Sequence, residues 1–138
     1  MATIARRAAS AFAWILLLGL SAGAAPRIGD ADALVGRWSW TYKDGQGMMH
    51  KHVLDVEGAG DKIAATERRD DEPAVKVTDL KITDKKVTFS VLRDERRAAY
   101  TGTLKGKDAD LIEGLVVISG AGESHEYGWE AKKEPTKK

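Results

Sequence analysis

GRWSWTYK, residues Gly36 to Lys43, alternates large aromatic side chains with polar ones. Trp38, Trp40 and Tyr42 share one side of an extended chain, because successive side chains of a β-strand point to opposite faces. Alternation with a period of two is typical of a strand that buries one face. The segment therefore predicts the first strand of a sheet whose aromatic side covers an apolar core.

Similar short runs, rich in β-branched and aromatic residues, continue from Leu34 to the C-terminal region. Clusters of Gly, Asp and Lys separate them about every ten residues, a spacing that indicates a sandwich or barrel. We predict an all-β fold, an antiparallel up-and-down meander barrel of about eight strands. The predicted strands cover 36–43, 48–56, 62–68, 75–82, 86–93, 98–105, 110–118 and 124–132, and the fourth is the least clearly defined.

Gly36-Arg37-Trp38 forms a G-x-W at the head of the first predicted strand, and Trp129 lies in the last one. This arrangement resembles the lipocalin and avidin group of barrels, the calycins, and more closely the small lipocalin-like domains of secreted bacterial proteins. The resemblance covers about Leu34 to Lys132 and implies a barrel. It implies no particular cargo, because the ligand residues of avidins are not matched and Lys132 and Lys133 stand where lipocalins have an Arg.

The first 24 residues have the three parts of a secretory signal peptide. Arg6 and Arg7 are the positive region, and the apolar run 11–20 is too short to span a bilayer. Ala22 and Ala24 are the small residues that signal peptidase accepts, so we predict cleavage after Ala24 and a secreted or periplasmic protein without a transmembrane anchor. The general export route fits better than the twin-arginine route, and an uncleaved N-terminal anchor is the alternative.

The predicted organisation is a signal peptide at 1–24, a lead-in at 25–33, one barrel domain at 34–132 and a flexible Lys-rich tail at 133–138. The full chain has 22 basic and 21 acidic residues, and cleavage removes two Arg and no acid, which leaves a net charge of −1. Such a balance disfavours nucleic acid as a partner. The chain has no Cys, which excludes disulfides and thiol chemistry.

The interior of an eight-stranded barrel either is filled by its own side chains or holds one small ligand. The residues expected to point inward are rich in aromatics, which favours a packed interior over a pocket. These residues are Trp38, Trp40, Tyr42, Leu54, Val56, Val87, Phe89, Val91, Tyr100, Leu104, Ile112, Val116, Ile118, Tyr127 and Trp129. Gly102 and Gly114 also face inward and relieve crowding or open a small cleft.

The three histidines lie near the starts of two predicted strands that begin at the same rim of a meander. His50 and His52 share a face, and His125 shares one with Tyr127. Three imidazoles around an open position are a known zinc geometry, so a zinc or copper site formed by His50, His52 and His125 is one hypothesis. Three polar rim histidines without a common partner are the alternative.

The charged connections 68–72 and 93–97 are interpreted as solvated loop tips at this rim, because Asp and Glu stand among their Arg residues. No motif of a known hydrolase, metalloprotease or phosphate-binding loop occurs in the chain. Catalysis is therefore the less favoured class of function.

Three hypotheses follow. The first is an exported, non-catalytic barrel that binds a small ligand or an envelope protein at its rim. The second is a metal-binding protein or metal-dependent enzyme, and the third is a structural envelope domain that binds nothing small. The candidate ligand-binding residues are Trp40, Tyr42, His50, His52, Tyr100, His125 and Tyr127.

Overall fold

The computed structural model describes residues 28–136, with side chains from residue 31 onward. The predicted signal peptide at 1–24 lies outside the described residues, as does part of the predicted lead-in. One short helix precedes nine strands in the described part of the chain. The elements are α1 (Ile28–Leu34), β1 (Gly36–Lys43), β2 (Met49–Glu57), β3 (Ala64–Arg69), β4 (Val75–Lys76), β5 (Thr78–Thr83), β6 (Lys86–Arg93), β7 (Arg96–Lys105), β8 (Leu111–Gly120) and β9 (Glu123–Lys133).

All strand pairs are antiparallel, and the sheet order is β4-β3-β2-β1-β9-β8-β7-β6-β5. The prediction of an all-β antiparallel meander barrel is confirmed. The first and last strands pair through Trp38 with Lys133 and Ser39 with Lys132, as the meander prediction requires. The result is a nearly closed barrel, which is compatible with a calycin-like fold.

The segment predicted as the fourth strand is divided into β4 and β5, which accounts for nine strands where about eight were predicted. β4 pairs with β3, whereas β5 pairs with β6. Val77, between them, donates its backbone N–H to the carbonyl of Ala65 at 3.0 Å. One continuous segment therefore changes partners at Val77 and links the two ends of the sheet.

Three hairpins in the second half of the barrel have two-residue turns with positive φ at both residues. The turn residues are Asp84 and Lys85, Asp94 and Glu95, and Ala121 and Gly122, with φ between 48° and 77°. Turns of this kind match the right-handed twist of the flanking strands, which fixes the register of each hairpin. Each register then determines which side chains point into the barrel.

The helix α1 covers one end of the barrel and adds Ala31 and Leu34 to the core. Leu34 and Trp38 are fully buried there, and Trp38 Nε1 donates to the carbonyl of Leu34 at 2.8 Å. Lys133, which the sequence places in the tail, ends β9 with its Nζ 5.4 Å from the centroid of the Trp38 ring. Its ammonium also donates to the carbonyl of Ala33 at 2.9 Å. A lysine thus contacts the Trp where the resemblance implies an arginine.

Of the residues expected to point inward, twelve are buried. Tyr42 and Ile118 are half-buried, and Tyr127 is exposed because it lies at the rim. Gly102 and Gly114 face each other across β7 and β8, and Trp129 lies opposite Gly114 on β9. The indole of Trp129 covers the two glycines, which have no side chains, and its Nε1 donates to the carbonyl of Thr101 at 3.3 Å. The glycines therefore leave the space that this aromatic ring occupies.

No helix within residues 28–136 is both long and apolar enough to cross a membrane.

Candidate functional site

A cavity of about 520 Å³ occupies the end of the barrel opposite α1. Side chains fill the end of the interior next to α1 and leave this end open, which differs from the expectation that a packed interior is favoured over a pocket. Three hairpin connections surround the mouth of the cavity. They contribute Asp44 from β1–β2, Asp94 from β6–β7 and Glu123 from β8–β9. All seven candidate ligand-binding residues line this cavity: Trp40, Tyr42, His50, His52, Tyr100, His125 and Tyr127.

Aromatic rings form one wall of the cavity and separate it from the packed half. The rings of Trp40, Tyr100 and Trp129 meet edge to face, with centroids 5.0 to 5.5 Å apart. Phe89 stacks on Tyr100 from the core side at 4.5 Å. Burial raises the pKa of the Tyr100 hydroxyl, which therefore stays protonated at neutral pH. Each ring fixes its neighbours, so this wall is rigid and mostly apolar.

The floor of the cavity carries a buried carboxylate that sequence reasoning missed. Glu67 is 1 % exposed, because β3 alternates Ala65, Glu67 and Arg69 on its inner face. Its Oε1 lies 2.5 Å from His52 Nδ1, and its Oε2 accepts from Arg93 Nη2 at 2.7 Å. Burial acts to raise the pKa of Glu67, but the hydrogen bonds from His52 and Arg93 outweigh it and leave the pKa below its ordinary value. The floor is therefore an ionised, fully paired group.

A chain of ion pairs extends from Glu67 towards the loop between β3 and β4. Arg93 Nη1 donates to Glu72 Oε2 at 2.9 Å, and Arg69 Nη2 donates to Glu72 Oε1 at 2.7 Å. The hydrogen bond from Arg69 lowers the pKa of Glu72. Arg69 Nε is buried and has no hydrogen-bond partner among the described residues. The interpretation of Arg69 and Arg93 as solvated loop tips is wrong, since tertiary contacts turn both guanidinium groups inward.

His52 and His50 have different surroundings although they share a face of β2. The ring of His52 stacks on Trp40, with centroids 5.3 Å apart and planes 8° apart. His50 is held by two carboxylates, with Nδ1 2.7 Å from Asp70 Oδ2 and Nε2 3.0 Å from Asp44 Oδ2. These hydrogen bonds, first that of Asp70 and then that of Asp44, raise the pKa of His50. His50 therefore ties the β1–β2 turn to the loop after β3.

The third histidine lies at the rim, on β9. His125 Nε2 is 3.6 Å from Glu123 Oε2, its side chain is 59 % exposed, and its ring lies 6.3 Å from that of Tyr127. Tyr127 in turn meets Tyr42 edge to face at 5.5 Å. Within residues 31–136 no group of three or more His, Cys, Asp or Glu is arranged to hold a metal ion. The zinc or copper site at His50, His52 and His125 stays a prediction, and a metal titration with His125→Ala as the comparison would test it.

One feature of the sequence indicates the inward-facing charged residues Glu67, Arg69 and Arg93, which were not predicted as site residues. Strict alternation along β3 places Glu67 and Arg69 on the same face as Ala65. The same alternation along β6 places Arg93 on the face of Val91 and Phe89. Charge alone favours solvent for all three, and only the pairing of Glu67 with Arg93, 26 positions apart, makes burial tolerable.

Comparison of the chain with protein-family models, with curated proteins and with solved structures finds no match.

Proposed function

We propose that this chain is an exported, lipocalin-like β-barrel without catalytic activity, which binds one small molecule in the cavity at its mouth. The observation that carries the proposal is the cavity of about 520 Å³, formed where a barrel of this size is often filled by side chains. Ligand pockets span roughly 300–1,000 Å³ and combine apolar walls with a few fixed polar groups. The aromatic wall and the His52–Glu67–Arg93 floor have this composition.

The rigidity of the site supports binding rather than a fortuitous void. Its polar groups are held by the Arg93–Glu67 ion pair and the hydrogen bond between His52 and Glu67, and its aromatic rings are fixed by edge-to-face contacts. A site that is already ordered loses little conformational entropy on binding, which favours affinity for a small ligand. Because a signal peptide is predicted at 1–24, we propose that this binding takes place in the periplasm or outside the cell.

Native mass spectrometry of the protein purified from the organism that makes it tests the proposal directly. We expect a bound species that disappears under denaturing conditions. Binding of the neutral fluorescent dye Nile red provides a second measurement on protein from any source. A bare polypeptide mass together with no binding of Nile red would contradict the proposed function.

Two neighbouring alanines on β7 provide a matched pair of variants. Ala98 lines the cavity, whereas Ala99 follows it and points to the opposite face of the sheet. Ala98→Phe should fill the mouth and abolish Nile red binding, while Ala99→Phe should leave it intact. Equal effects of the two substitutions would place the dye outside the cavity.

A further inference from the structure

His52 is oriented by the buried carboxylate beside it. Glu67 is ionised, since its pKa is held below the ordinary value, and an ionised carboxylate only accepts hydrogen bonds. The His52 nitrogen that faces it, Nδ1, must therefore carry a hydrogen. This leaves Nε2 as the ring nitrogen that determines what His52 offers to the cavity.

The Nε2 atom of His52 is open to a ligand. It has no hydrogen-bond partner among the described residues. It is also not among the fully buried polar atoms that lack a partner, so solvent or a ligand can reach it. The ring lines the cavity and cannot turn easily, because it is stacked on Trp40 and tied to Glu67. Arg93 also donates to Glu67, so His52 is not the only partner of this carboxylate. With hydrogen on Nδ1, a neutral imidazole presents a lone pair at Nε2 and accepts a hydrogen bond.

The arginines of the site are poorly suited to bind an anion. Arg93 donates to both Glu67 and Glu72, and Arg69 donates to Glu72. An anionic ligand would have to compete with Glu67 and Glu72 for these guanidinium groups. Arg96 also lines the cavity, but it is exposed at the rim, where water and salt screen its charge.

The aromatic lining of the cavity favours a flat ligand. Trp40, Tyr100 and Trp129 line it and meet edge to face, and planar molecules gain most from aromatic walls through stacked or edge-to-face contacts. Resting on the proposed function, we propose that the cavity binds a small planar aromatic ligand without negative charge, which donates a hydrogen bond from a hydroxyl or N–H group to His52 Nε2. Phenols and aromatic N–H compounds, rather than carboxylates, belong to this ligand class.

Three naphthalene probes of similar shape test the assignment by displacement of Nile red. We expect 2-naphthol to bind, 2-methoxynaphthalene to bind about tenfold more weakly because it lacks the donor, and 2-naphthoate to bind more weakly still. Equal binding of 2-naphthol and 2-methoxynaphthalene would overturn the donor assignment while leaving the cavity a binding site. Tighter binding of 2-naphthoate would overturn the exclusion of anions, and Nile red binding without displacement by any probe would overturn the ligand class.

A substitution at His52 links the preference to the named atom. His52→Phe keeps an aromatic ring against Trp40 and removes Nε2, so the preference for 2-naphthol over 2-methoxynaphthalene should be lost. Ala99→Phe, which adds a ring on the opposite face of the sheet, should keep the preference. The wild-type measurement decides the proposal even if His52→Phe fails to fold. Failure of Nile red to bind, together with a bare polypeptide mass in native mass spectrometry, would overturn both the ligand class and the proposed function.

Discussion

Arg93 and Glu67 form an ion pair that joins the two ends of the sheet: Arg93 Nη2 lies 2.7 Å from Glu67 Oε2, with the side chains 13 % and 2 % exposed. Arg93 ends β6 and Glu67 lies in β3, two strands that are not neighbours in the sheet order. Only β4 and β5 lie between them in the nearly closed barrel, and β4 has two residues. The ion pair therefore closes the barrel where strand pairing is weakest and forms the floor of the cavity.

Removal of Arg93 should destabilise the protein strongly. Arg93→Met leaves the buried carboxylate of Glu67 without its cation, and such a loss costs about 3–5 kcal/mol of the free energy of unfolding. Urea denaturation of the variant and the wild type measures this difference.

The matched control is the surface pair of Lys105 and Glu113, whose Nζ and Oε2 atoms are 3.3 Å apart and whose side chains are about half exposed. Lys105→Met should cost less than about 1 kcal/mol, because water screens exposed charges. If the two substitutions cost the same, the buried pair does not stabilise barrel closure.

His50 should make stability depend on pH. Its pKa is raised above the ordinary 6.5, so its contribution is complete below that value and is lost as pH rises through the folded-state pKa. The pKa values of Asp44 and Asp70 are lowered from 3.8, so their contribution is complete above that value and is lost as pH falls through their folded-state pKa values. The stabilisation is therefore greatest between about pH 4 and pH 6.5.

Melting temperatures of the wild type and His50→Gln, compared across pH, provide the test. The difference between them should be largest in that interval and shrink on both sides. His125→Gln, at the exposed rim, is the control and should follow the wild type more closely. A difference that does not vary with pH would contradict the pairing of His50 with both aspartates.

Gly114 should not tolerate a side chain. A Cβ there would collide with the carbonyl oxygen of Thr101 and come within 2.5 Å of Gly102 Cα, so backbone would have to move. We expect Gly114→Ala to cost about 1–3 kcal/mol or more and to shift the fluorescence of Trp129, which covers this position. Gly128→Ala, on the adjacent strand with open space around the added atom, should be nearly neutral. Similar stabilities for the two variants would contradict the close approach of β7 and β8.

Export should remove residues 1–24. When the full chain with a C-terminal tag is expressed in a bacterium, the mass of the exported form should correspond to a chain that begins at Ala25. Ala24→Leu should block cleavage, because signal peptidase requires a small residue there, whereas Ala25→Leu should permit it. Accumulation of only the uncleaved wild-type chain inside the cell would refute this prediction.

Alternation and turn spacing predicted most of the fold because both are local properties of the chain. The aromatic face of β1, the meander and the pairing of β1 with β9 all follow from them. The exchange of partners at Val77 could not be predicted, since it depends on where the two ends of the sheet meet in space. The interior volume likewise escaped prediction, because side-chain lists do not show how far apart opposite walls stand.

For the candidate site, the sequence by itself determined which residues share the inner face near one rim, since strand direction and a period of two decide that placement. The structure places all seven candidate residues around the cavity there. Only the tertiary structure decided the state of each histidine, because the partners of His50 and His52 lie on other segments of the chain. It also decided that Glu67 and Arg93 face inward, since burial of either charge is tolerable only when folding brings the other within hydrogen-bonding distance.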